Sequence, residues 1–263
     1  MYKMSDIAQV IEDFAPPNIA ADWDNVGLLL GRGDADASKV LLALDVTDEI
    51  VAEALEAGVQ AIITHHPLMR DGTKAINDKT PFGRRMLTLA ENKIAVYSAH
   101  TNLDFCTGGV NDELAKALGL ENVEPICKVS DGVFAGRAGV LHTPTKLSEF
   151  AKIVQKALLI PVASYVGDSE YMLRKVGVMG GGGANKDFFR AALEAGCDAY
   201  VSSDIKYSMA LAAKDMGLNL VDGTHYGTEM IFVSSLKKLF TEKLPKLELI
   251  ETKINGQPLK VEV

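Results

Sequence analysis

Short apolar strands alternate with amphipathic helices along most of the 263 residues, and this alternation limits the possible folds more than any other feature. A strand at residues 39–47 precedes a helix at 48–58, which Gly58 closes, and a second strand follows at 59–64. The same alternation returns between residues 134 and 240. Alternating strands and helices predict a largely parallel or mixed sheet with helices on its faces. The sequence therefore indicates an α/β fold.

One part of this pattern occurs twice. Residues 54–67, ALEAGVQAIITHHP, align with residues 192–205, ALEAGCDAYVSSDI, at an offset of 138. Each copy is followed by a further strand, and then by a histidine with a carboxylate four positions later. The two pairs are His100 with Asp104 and His225 with Glu229. The repeated order predicts two similar α/β domains related by an internal duplication.

The strand–helix pattern lapses near residues 121–131, and we expect a domain boundary there. We assign residues 1–126 and 224–263 to a first domain, and residues 127–223 to a second domain that is inserted in the first. Toward the C-terminus the pattern predicts one long helix at residues 227–240. A closing pair of strands, KLELIET and LKVEV, is expected after it.

Composition and charge exclude several classes of protein. The net charge is −8, and no basic run exceeds two residues, so nucleic acid is a poor candidate partner. The three cysteines form no CxxC motif, which argues against a disulfide framework and a thiolate zinc site. The N-terminus is typical of an amphipathic helix with Ser5 as N-cap, not of a signal peptide. No apolar run approaches ~18 residues, so we expect no membrane span and a cytoplasmic location.

Four of the five histidines directly follow predicted strands. A single histidine there is usually a hydrogen-bonded structural residue, and we interpret His142 as structural or surface. Two of the four are adjacent, however, and the other two have a carboxylate four positions later. Imidazole and carboxylate are ligands for Zn²⁺, Mn²⁺, Fe²⁺, Co²⁺ and Ni²⁺. The candidate metal ligands are His65, His66, Asp104, His225 and Glu229.

The adjacent His65 and His66 can bind one ion only if their strand has ended, because neighbouring strand residues point to opposite faces. Pro67 favours such an end. Alternatively, each imidazole binds a different ion, and we favour two ions. Five protein ligands cannot close two tetrahedral sites, so a carboxylate must bridge and solvent must complete the coordination, as in catalytic sites. Two such ions can activate a water and clamp a bond that is hydrolysed.

The two histidine–carboxylate pairs differ in their expected geometry. His225 and Glu229 share one face of a helix if that helix begins by residue 225. His100 and Asp104 are expected on a loop, where their spacing fixes no geometry. If His100 is not a ligand, it is the best candidate for a proton carrier in catalysis, since imidazole commonly serves as general acid and base.

Other features have both a functional and a structural interpretation. In DWDNVGLLLG, residues 22–31, Trp23 could stack on a base and Asn25 could bind a polar group, or the segment is a packed turn. The loop Gly180–Gly183 could cradle a phosphate, or it allows a close approach of chains. Polar residues at strand ends either orient ligand imidazoles or cap helices. These residues are Asp45, Thr47 and Asp204.

Four segments resemble those of the GTP cyclohydrolase 1 type 2 family, also called the NIF-three-like family of dinuclear metal hydrolases. They are DWDNVGLLLG, ITHHPL, AHTNLD and HYGTE, and they occur in the family's order over nearly the whole chain. The resemblance implies metal ligands at the same five residues as above. It also implies two similar α/β domains with the metal site in the cleft between them, and a ring-shaped homo-hexamer.

We therefore expect a hydrolase with two divalent transition metal ions per chain that acts on a small molecule, with GTP or a related nucleotide as the candidate. The family name implies opening of the guanine imidazole ring of GTP to give dihydroneopterin triphosphate and formate. The alternative is a non-catalytic metal-binding regulatory or scaffold protein that forms a homo-oligomeric ring. A cleft open to a nucleotide would favour the enzyme, whereas a large exposed apolar patch would favour the scaffold.

Overall fold

The structure is a computed structural model that describes residues 1–69 and 72–262. The helices of these residues are α1 (Met4–Phe14), α2 (Asp48–Ala57), α3 (Pro81–Glu91), α4 (Thr101–Phe105), α5 (Val110–Ala117), α6 (Leu147–Ala157), α7 (Lys186–Glu194), α8 (Tyr207–Met216), α9 (His225–Glu229) and α10 (Phe232–Lys243), with a 3-10 turn at Pro17–Ile19. The strands are β1 (Tyr2–Lys3), β2 (Gly27–Leu30), β3 (Asp36–Ala37), β4 (Lys39–Ala43), β5 (Ala61–Thr64), β6 (Ala95–Ser98), β7 (Leu120–Ser130), β8 (Val133–Lys146), β9 (Ser164–Val166), β10 (Met172–Val178), β11 (Ala199–Ser202), β12 (Asn219–Asp222) and β13 (Glu248–Glu251).

The chain divides into two compact units. Unit 1 comprises Met1–Cys106 and Phe232–Gly256, and unit 2 comprises Thr107–Ile231 and Gln257–Val263. Residues 107–126, 224–231 and 257–262, which the sequence grouped with the first domain, lie in unit 2. For the first two segments the reason is that α5 packs on β8, β7 pairs with β8, and α9 packs on α5.

Unit 1 contains a mixed sheet in the order β13–β4–β5–β6–β2, as far as the described residues show. The strands β13, β4, β5 and β6 are parallel, and β2 joins the edge antiparallel to β6. Ala43, Thr64 and Ser98 lie side by side in the register, so β4, β5 and β6 end at one level. The residues that follow these strands therefore emerge at one edge of the sheet. Apolar side chains from α2, α3 and the strands, among them Ile62 and Leu89, form the core beneath this edge.

Unit 2 repeats this architecture. Its sheet has the order β7–β8–β10–β11–β12–β9 among the residues described, with β10, β11 and β12 parallel and β9 antiparallel at the edge. Val178, Val201 and Val221 lie in one row of the register, so these strands end within one residue of one another. Phe150 and Val154 of α6 pack on one face of the sheet, and Phe189 of α7 belongs to a second core cluster.

The internal duplication is confirmed by the order of elements in the two units. Each has a helix, an antiparallel edge strand, three parallel strands joined by two helices, and then a short helix. In unit 1 this series is α1, β2, β4, α2, β5, α3, β6 and α4, and in unit 2 it is α6, β9, β10, α7, β11, α8, β12 and α9. β5 and β11 begin at Ala61 and Ala199, which are separated by the offset of 138 seen in the sequence. The α/β class is also confirmed.

Three local expectations were wrong. Residues 121–130 form most of strand β7, and Asp131 and Gly132 make the tight turn to β8, since Ser130 pairs with Val133 across them. The long final helix is two helices, α9 and α10. KLELIET supplies β13, but 259–262 form no strand, and residue 263 lies outside the described residues.

The N-cap of α1 also differs from the expectation. Lys3 takes that position instead of Ser5, because the Asp6 carboxylate accepts the Lys3 backbone N–H at 2.7 Å in a capping-box arrangement. Thr47, by contrast, caps α2, since its side chain accepts the Ile50 N–H at 3.3 Å. Thr47 is therefore a helix cap.

A buried ion pair fixes α5 against β8 in unit 2. The Arg137 guanidinium donates from Nε to Asp112 Oδ1 and from a terminal nitrogen to Asp112 Oδ2, both at 2.9 Å. A second terminal nitrogen of Arg137 donates to the Gly136 carbonyl at 2.9 Å, and the Gly108 N–H donates to Asp112 Oδ2 at 2.8 Å. The pair therefore anchors the N-terminal half of α5.

We expect Arg137→Met to lower the free energy of unfolding by about 3 kcal/mol, because it leaves the Asp112 carboxylate without its buried cation. Arg137→Met combined with Asp112→Leu should restore part of this loss, since no uncompensated charge then remains. Urea unfolding followed by circular dichroism measures both variants. Equal destabilisation by the single and the double variant would contradict this role of the pair.

Candidate functional site

The two adjacent histidines lie directly beyond the end of β5 in unit 1. The strand ends at Thr64, and His65 and His66 are both buried. Hydrogen bonds fix the backbone here: the His66 N–H donates to the Leu44 carbonyl at 3.0 Å, and the Thr64 hydroxyl donates to the His66 carbonyl at 2.8 Å. The strand has ended where the doubled histidines require it, as the sequence predicted. Their ring centroids are 5.5 Å apart.

His100 joins these two imidazoles from the end of β6. Its ring centroid lies 5.0 Å from that of His65 and 5.5 Å from that of His66. One ligand nitrogen from each ring falls in a group whose members lie within 4.8 Å of one another. We call His65, His66 and His100 the histidine cluster. On its other side, the His65 ring stacks on Phe232 of α10 at 5.8 Å.

Asp104 approaches the cluster from helix α4. Its carboxylate Oδ1 lies 3.5 Å from His65 Nε2, and Asp104 is buried. The sequence had placed His100 and Asp104 on a loop, which was wrong. The two residues lie at the two ends of one helical turn, in which the Asp104 N–H donates to the His100 carbonyl at 3.0 Å. Asn102 anchors that turn, since its side-chain amide donates to the Ala15 carbonyl. The spacing of four residues therefore corresponds to one helical turn of backbone in both histidine–carboxylate pairs, although His100 itself precedes α4.

In unit 2, His225 and Glu229 form the second pair. Helix α9 begins at His225, so the two side chains share one helical face as predicted, with His225 Nε2 2.9 Å from Glu229 Oε2. Thr224 caps this helix by accepting the Gly227 N–H at 3.1 Å. The backbone φ angle is 59° at Thr224 and 55° at Asp204, in the left-handed region that residues other than glycine rarely adopt. Such strain next to a pair of polar side chains is typical of functional sites.

Each of the four strand-end histidines has its Nδ1 atom hydrogen-bonded to a fixed oxygen. The acceptors are the Ala99 carbonyl for His65 at 2.8 Å, Asp45 for His66 at 2.8 Å, Asp24 for His100 at 2.8 Å and Asp204 for His225 at 2.7 Å. A carbonyl or an ionised carboxylate can only accept, so Nδ1 carries the proton in each ring. The Nε2 atom of the neutral ring then carries the lone pair, which is the arrangement of metal-ligating histidines.

The lone pairs of two of these rings point at carboxylates. His65 Nε2 faces Asp104 Oδ1, and His225 Nε2 faces Glu229 Oε2. Two acceptors facing each other repel unless a cation or a proton lies between them. The donor set, imidazole nitrogen with carboxylate oxygen, suits divalent transition metal ions. The residues present in both units therefore fit the metal ligands predicted from the sequence.

The glycine-rich loop that follows β10 supports the second pair. Gly181 has φ of 63°, and a Cβ atom at this position would lie 1.8 Å from Glu229 Oε1. Its N–H donates to the Thr228 hydroxyl at 3.0 Å, while the Gly180 N–H donates to Asn111 Oδ1 at 2.9 Å. The Asn185 side chain already caps α7, the helix after the loop. These N–H groups are used internally, so the loop serves close approach to Glu229 and is poorly suited to cradle phosphate.

The DWDN segment supplies Asp24, whose carboxylate contacts His100. The Asp24 side chain is 1% exposed and accepts from His100 Nδ1, from the Thr101 N–H at 3.0 Å and from the Thr101 hydroxyl. Burial alone raises the pKa of the Asp24 carboxyl, but the hydrogen bonds from His100 and Thr101 outweigh it and hold that pKa well below the usual 3.8. Asp24 is therefore ionised at neutral pH and orients His100.

The sequence interpretation had treated Asp24 as a turn residue. The only signal in the sequence is that Asp24 stands next to Trp23, and this does not reveal its partner His100, 76 positions away. Asp45 and Asp204, in contrast, were considered as residues that orient imidazoles, and both take this role. Asn111 lies inside α5 and accepts the Gly180 N–H.

The architecture and the site together define a class: a duplicated α/β protein with oriented histidines and carboxylates at the carboxyl ends of its strands. Residues 2–258 match the sequence model of the family described as Duf34/NIF3 (NGG1p interacting factor 3). The chain belongs to this family. No helix of the described residues has the length and apolar character needed to span a membrane.

Similar proteins cover nearly the whole chain. A Clostridium perfringens protein named GTP cyclohydrolase 1 type 2 homolog is 34% identical, with 98% of this chain and 99% of the relative covered. Among solved structures, Staphylococcus aureus hypothetical protein SA1388 superimposes with a TM-score of 0.92 at 29% identity, covering 99% of each chain. Reduced HcgD from Methanocaldococcus jannaschii superimposes with a TM-score of 0.82 at 32% identity, covering 96% of this chain and 98% of HcgD.

The depressed pKa of Asp24 predicts a pH-dependent contribution to stability. A carboxyl with a lowered folded-state pKa stabilises the protein above its unfolded-state value, near 3.8, and this contribution is lost as the pH falls through the folded-state pKa. Asp24→Asn should therefore be less stable than the wild type at neutral pH, and the difference should shrink as the pH falls below about 4. Urea unfolding at a series of pH values measures it. A difference that does not vary with pH would contradict the role of Asp24.

Proposed function

We propose that this protein is a dinuclear metal-dependent hydrolase. The observation that carries the proposal is the shared orientation of four imidazoles, each of which donates its Nδ1–H group to a fixed oxygen. Two of these rings face the buried carboxylates of Asp104 and Glu229. The proposed metal ligands are His65, His66 and Asp104 from unit 1, and His225 and Glu229 from unit 2. His100 is the proposed proton carrier.

The number of ligands in each unit supports a catalytic centre with open coordination positions. Unit 1 offers three proposed ligands and unit 2 offers two, whereas a structural transition-metal site usually has four protein ligands. Neither set of ligands is complete by itself, so ions held by these residues would keep open coordination positions. Positions that protein ligands leave open are those at which catalytic sites hold water or substrate. A pair of bound ions would lower the pKa of water and polarise the bond to be hydrolysed.

The residues of the chain supply the proton transfer in this proposal. Because His100 Nδ1 donates to the ionised Asp24, Nε2 is the atom of His100 that can accept a proton from water. The Asp24 carboxylate stabilises the imidazolium that forms, and it keeps the ring in one orientation. His100 can then return the proton from Nε2 to the leaving group.

The proposed substrate is GTP or a related nucleotide, and the proposed reaction is hydrolytic ring opening. The support is the name GTP cyclohydrolase 1 type 2 homolog, which several relatives carry at 33–34% identity over most of the chain. The homo-hexamer and the cytoplasmic location expected from the sequence stay predictions.

The metal ligands can be tested by elemental analysis of protein purified without added metal or a histidine tag. We expect about two transition metal ions per chain, as two-metal hydrolases hold. The double variant His65→Ala, His66→Ala should lose most of this metal, and Glu229→Gln should lose part of it. His142→Ala is the matched control, because the His142 side chain is 83% exposed and lies outside both sets. A wild type that neither contains nor takes up metal would refute the metal site.

The proton carrier is tested separately by His100→Gln. If His100 transfers protons and binds no metal, this variant should keep its metal content. Its rate of GTP hydrolysis should fall by about 100-fold or by a larger factor, the usual effect of losing a general base. Metal content and single-turnover GTP hydrolysis are measured on the same preparation. Wild-type turnover in His100→Gln would contradict the role, and loss of metal would instead make His100 a ligand.

A further inference from the structure

The single tryptophan of the chain lies exposed beside the histidine cluster. Trp23 is 70% exposed, and its ring centroid is 5.8 Å from that of His100 at an interplanar angle of 72°. A near-perpendicular contact covers at most one face of the indole, so at least one face stays open. Tryptophan is highly buried on average, and an indole left in water is typical of a binding surface.

The turn that carries Trp23 is fixed on both sides of the indole. Before it, the Ala21 N–H donates to the Thr101 hydroxyl at 2.9 Å, and the Asp24 N–H closes the turn on the Ala21 carbonyl at 2.8 Å. After it, the Asn25 side-chain amide donates to the Met69 carbonyl at 2.7 Å. The backbone that carries the indole is therefore fixed before any ligand arrives, which lowers the entropy lost on binding.

Two consecutive residues link this indole to the proposed chemistry. Asp24 accepts the Nδ1 proton of His100, and Trp23 places its ring next to the same imidazole. A flat ring that stacks on the indole beside the imidazole would lie close to His100. We propose that Trp23 is the stacking platform for the planar heteroaromatic ring of the substrate, a purine base. This inference rests on the proposed function for the identity of the substrate.

A small planar ligand fits this place better than a protein partner. His100 is only 7% exposed, so a group that contacts both Trp23 and His100 must be narrow. Stacking requires only a π face from the ligand, and the purines of nucleotides provide a large one. A subunit contact through Trp23 is the competing explanation, and the experiment below includes it as an outcome.

Because Trp23 is the only tryptophan, intrinsic fluorescence reports directly on its surroundings. Protein as purified, with its metal, is titrated with guanosine, GTP and inorganic triphosphate, and free N-acetyltryptophanamide corrects for collisional quenching and absorption. We expect saturable quenching by guanosine and GTP, and none by inorganic triphosphate. Quenching by guanosine that stays linear and equals that of the free indole would overturn the proposal.

Variants then separate stacking from other causes, with calorimetry as the readout of guanosine binding. Trp23→Leu should weaken guanosine binding by roughly tenfold to a hundredfold, and Trp23→Phe should weaken it less because a flat ring remains. Tyr207→Leu is the matched control, since Tyr207 is 80% exposed but lies in unit 2. Unchanged affinity in Trp23→Leu would overturn the proposal. So would a change in sedimentation of that variant with guanosine binding intact, which would make the indole a subunit contact.

The outcome is distinguishable from failure of the proposed function. Guanosine binding requires neither turnover nor the triphosphate, so saturable quenching in protein that lacks metal and activity would refute the hydrolase but support the stacking platform. The reverse result, GTP hydrolysis with full metal content and no response of Trp23, would refute the platform alone.

Discussion

The common level at which the parallel strands end is the constraint on which both candidate sites depend. In unit 1 the row Ala43, Thr64 and Ser98 places the residues after three strands at one edge of the sheet. His66 and His100 can come together there only because β5 and β6 stop in register. A shift of one residue in either strand would turn its side chains to the opposite face and separate the imidazoles. The packed cores that fix this register therefore also fix the geometry of the sites.

Within this frame, hydrogen bonds decide which atom of each imidazole is available. A buried imidazole without partners would be costly, and the fold provides an oxygen at Nδ1 for the buried His65, His66 and His100 and also for the partly exposed His225. Three of these oxygens belong to carboxylates, and one to the Ala99 carbonyl. A backbone carbonyl cannot be protonated at ordinary pH, unlike a carboxylate. The hydrogen bond that orients His65 therefore depends only on the protonation of His65 itself. The local strain at Asp204 and Thr224 is held by the same unit's core and by the Thr224 cap.

Much of the fold and the site could be predicted because they depend on local periodicity. The spacing of His225 and Glu229 indicates a shared helical face, and the apolar run before His65 indicates a strand that ends. The strand β7 was missed, since its exposed residues give no alternating pattern; only the turn at SDG marks it. The role of Asp24 could not be predicted either. Its partners lie 76 and 77 positions away in the chain, and such contacts follow from the tertiary fold.

The two duplicated units carry different polar residues at one equivalent position. At the offset of 138, His66 of unit 1 corresponds to Asp204 of unit 2. His66 is oriented by Asp45, whereas Asp204 itself orients His225. The same position after the second parallel strand thus presents an imidazole in one unit and an orienting carboxylate in the other. Unit 1 consequently has the larger set of nitrogen donors, and unit 2 has one histidine and one carboxylate on a single helical turn. An ion bound by either set would keep coordination positions for water or substrate, which a complete set of four protein ligands would not leave.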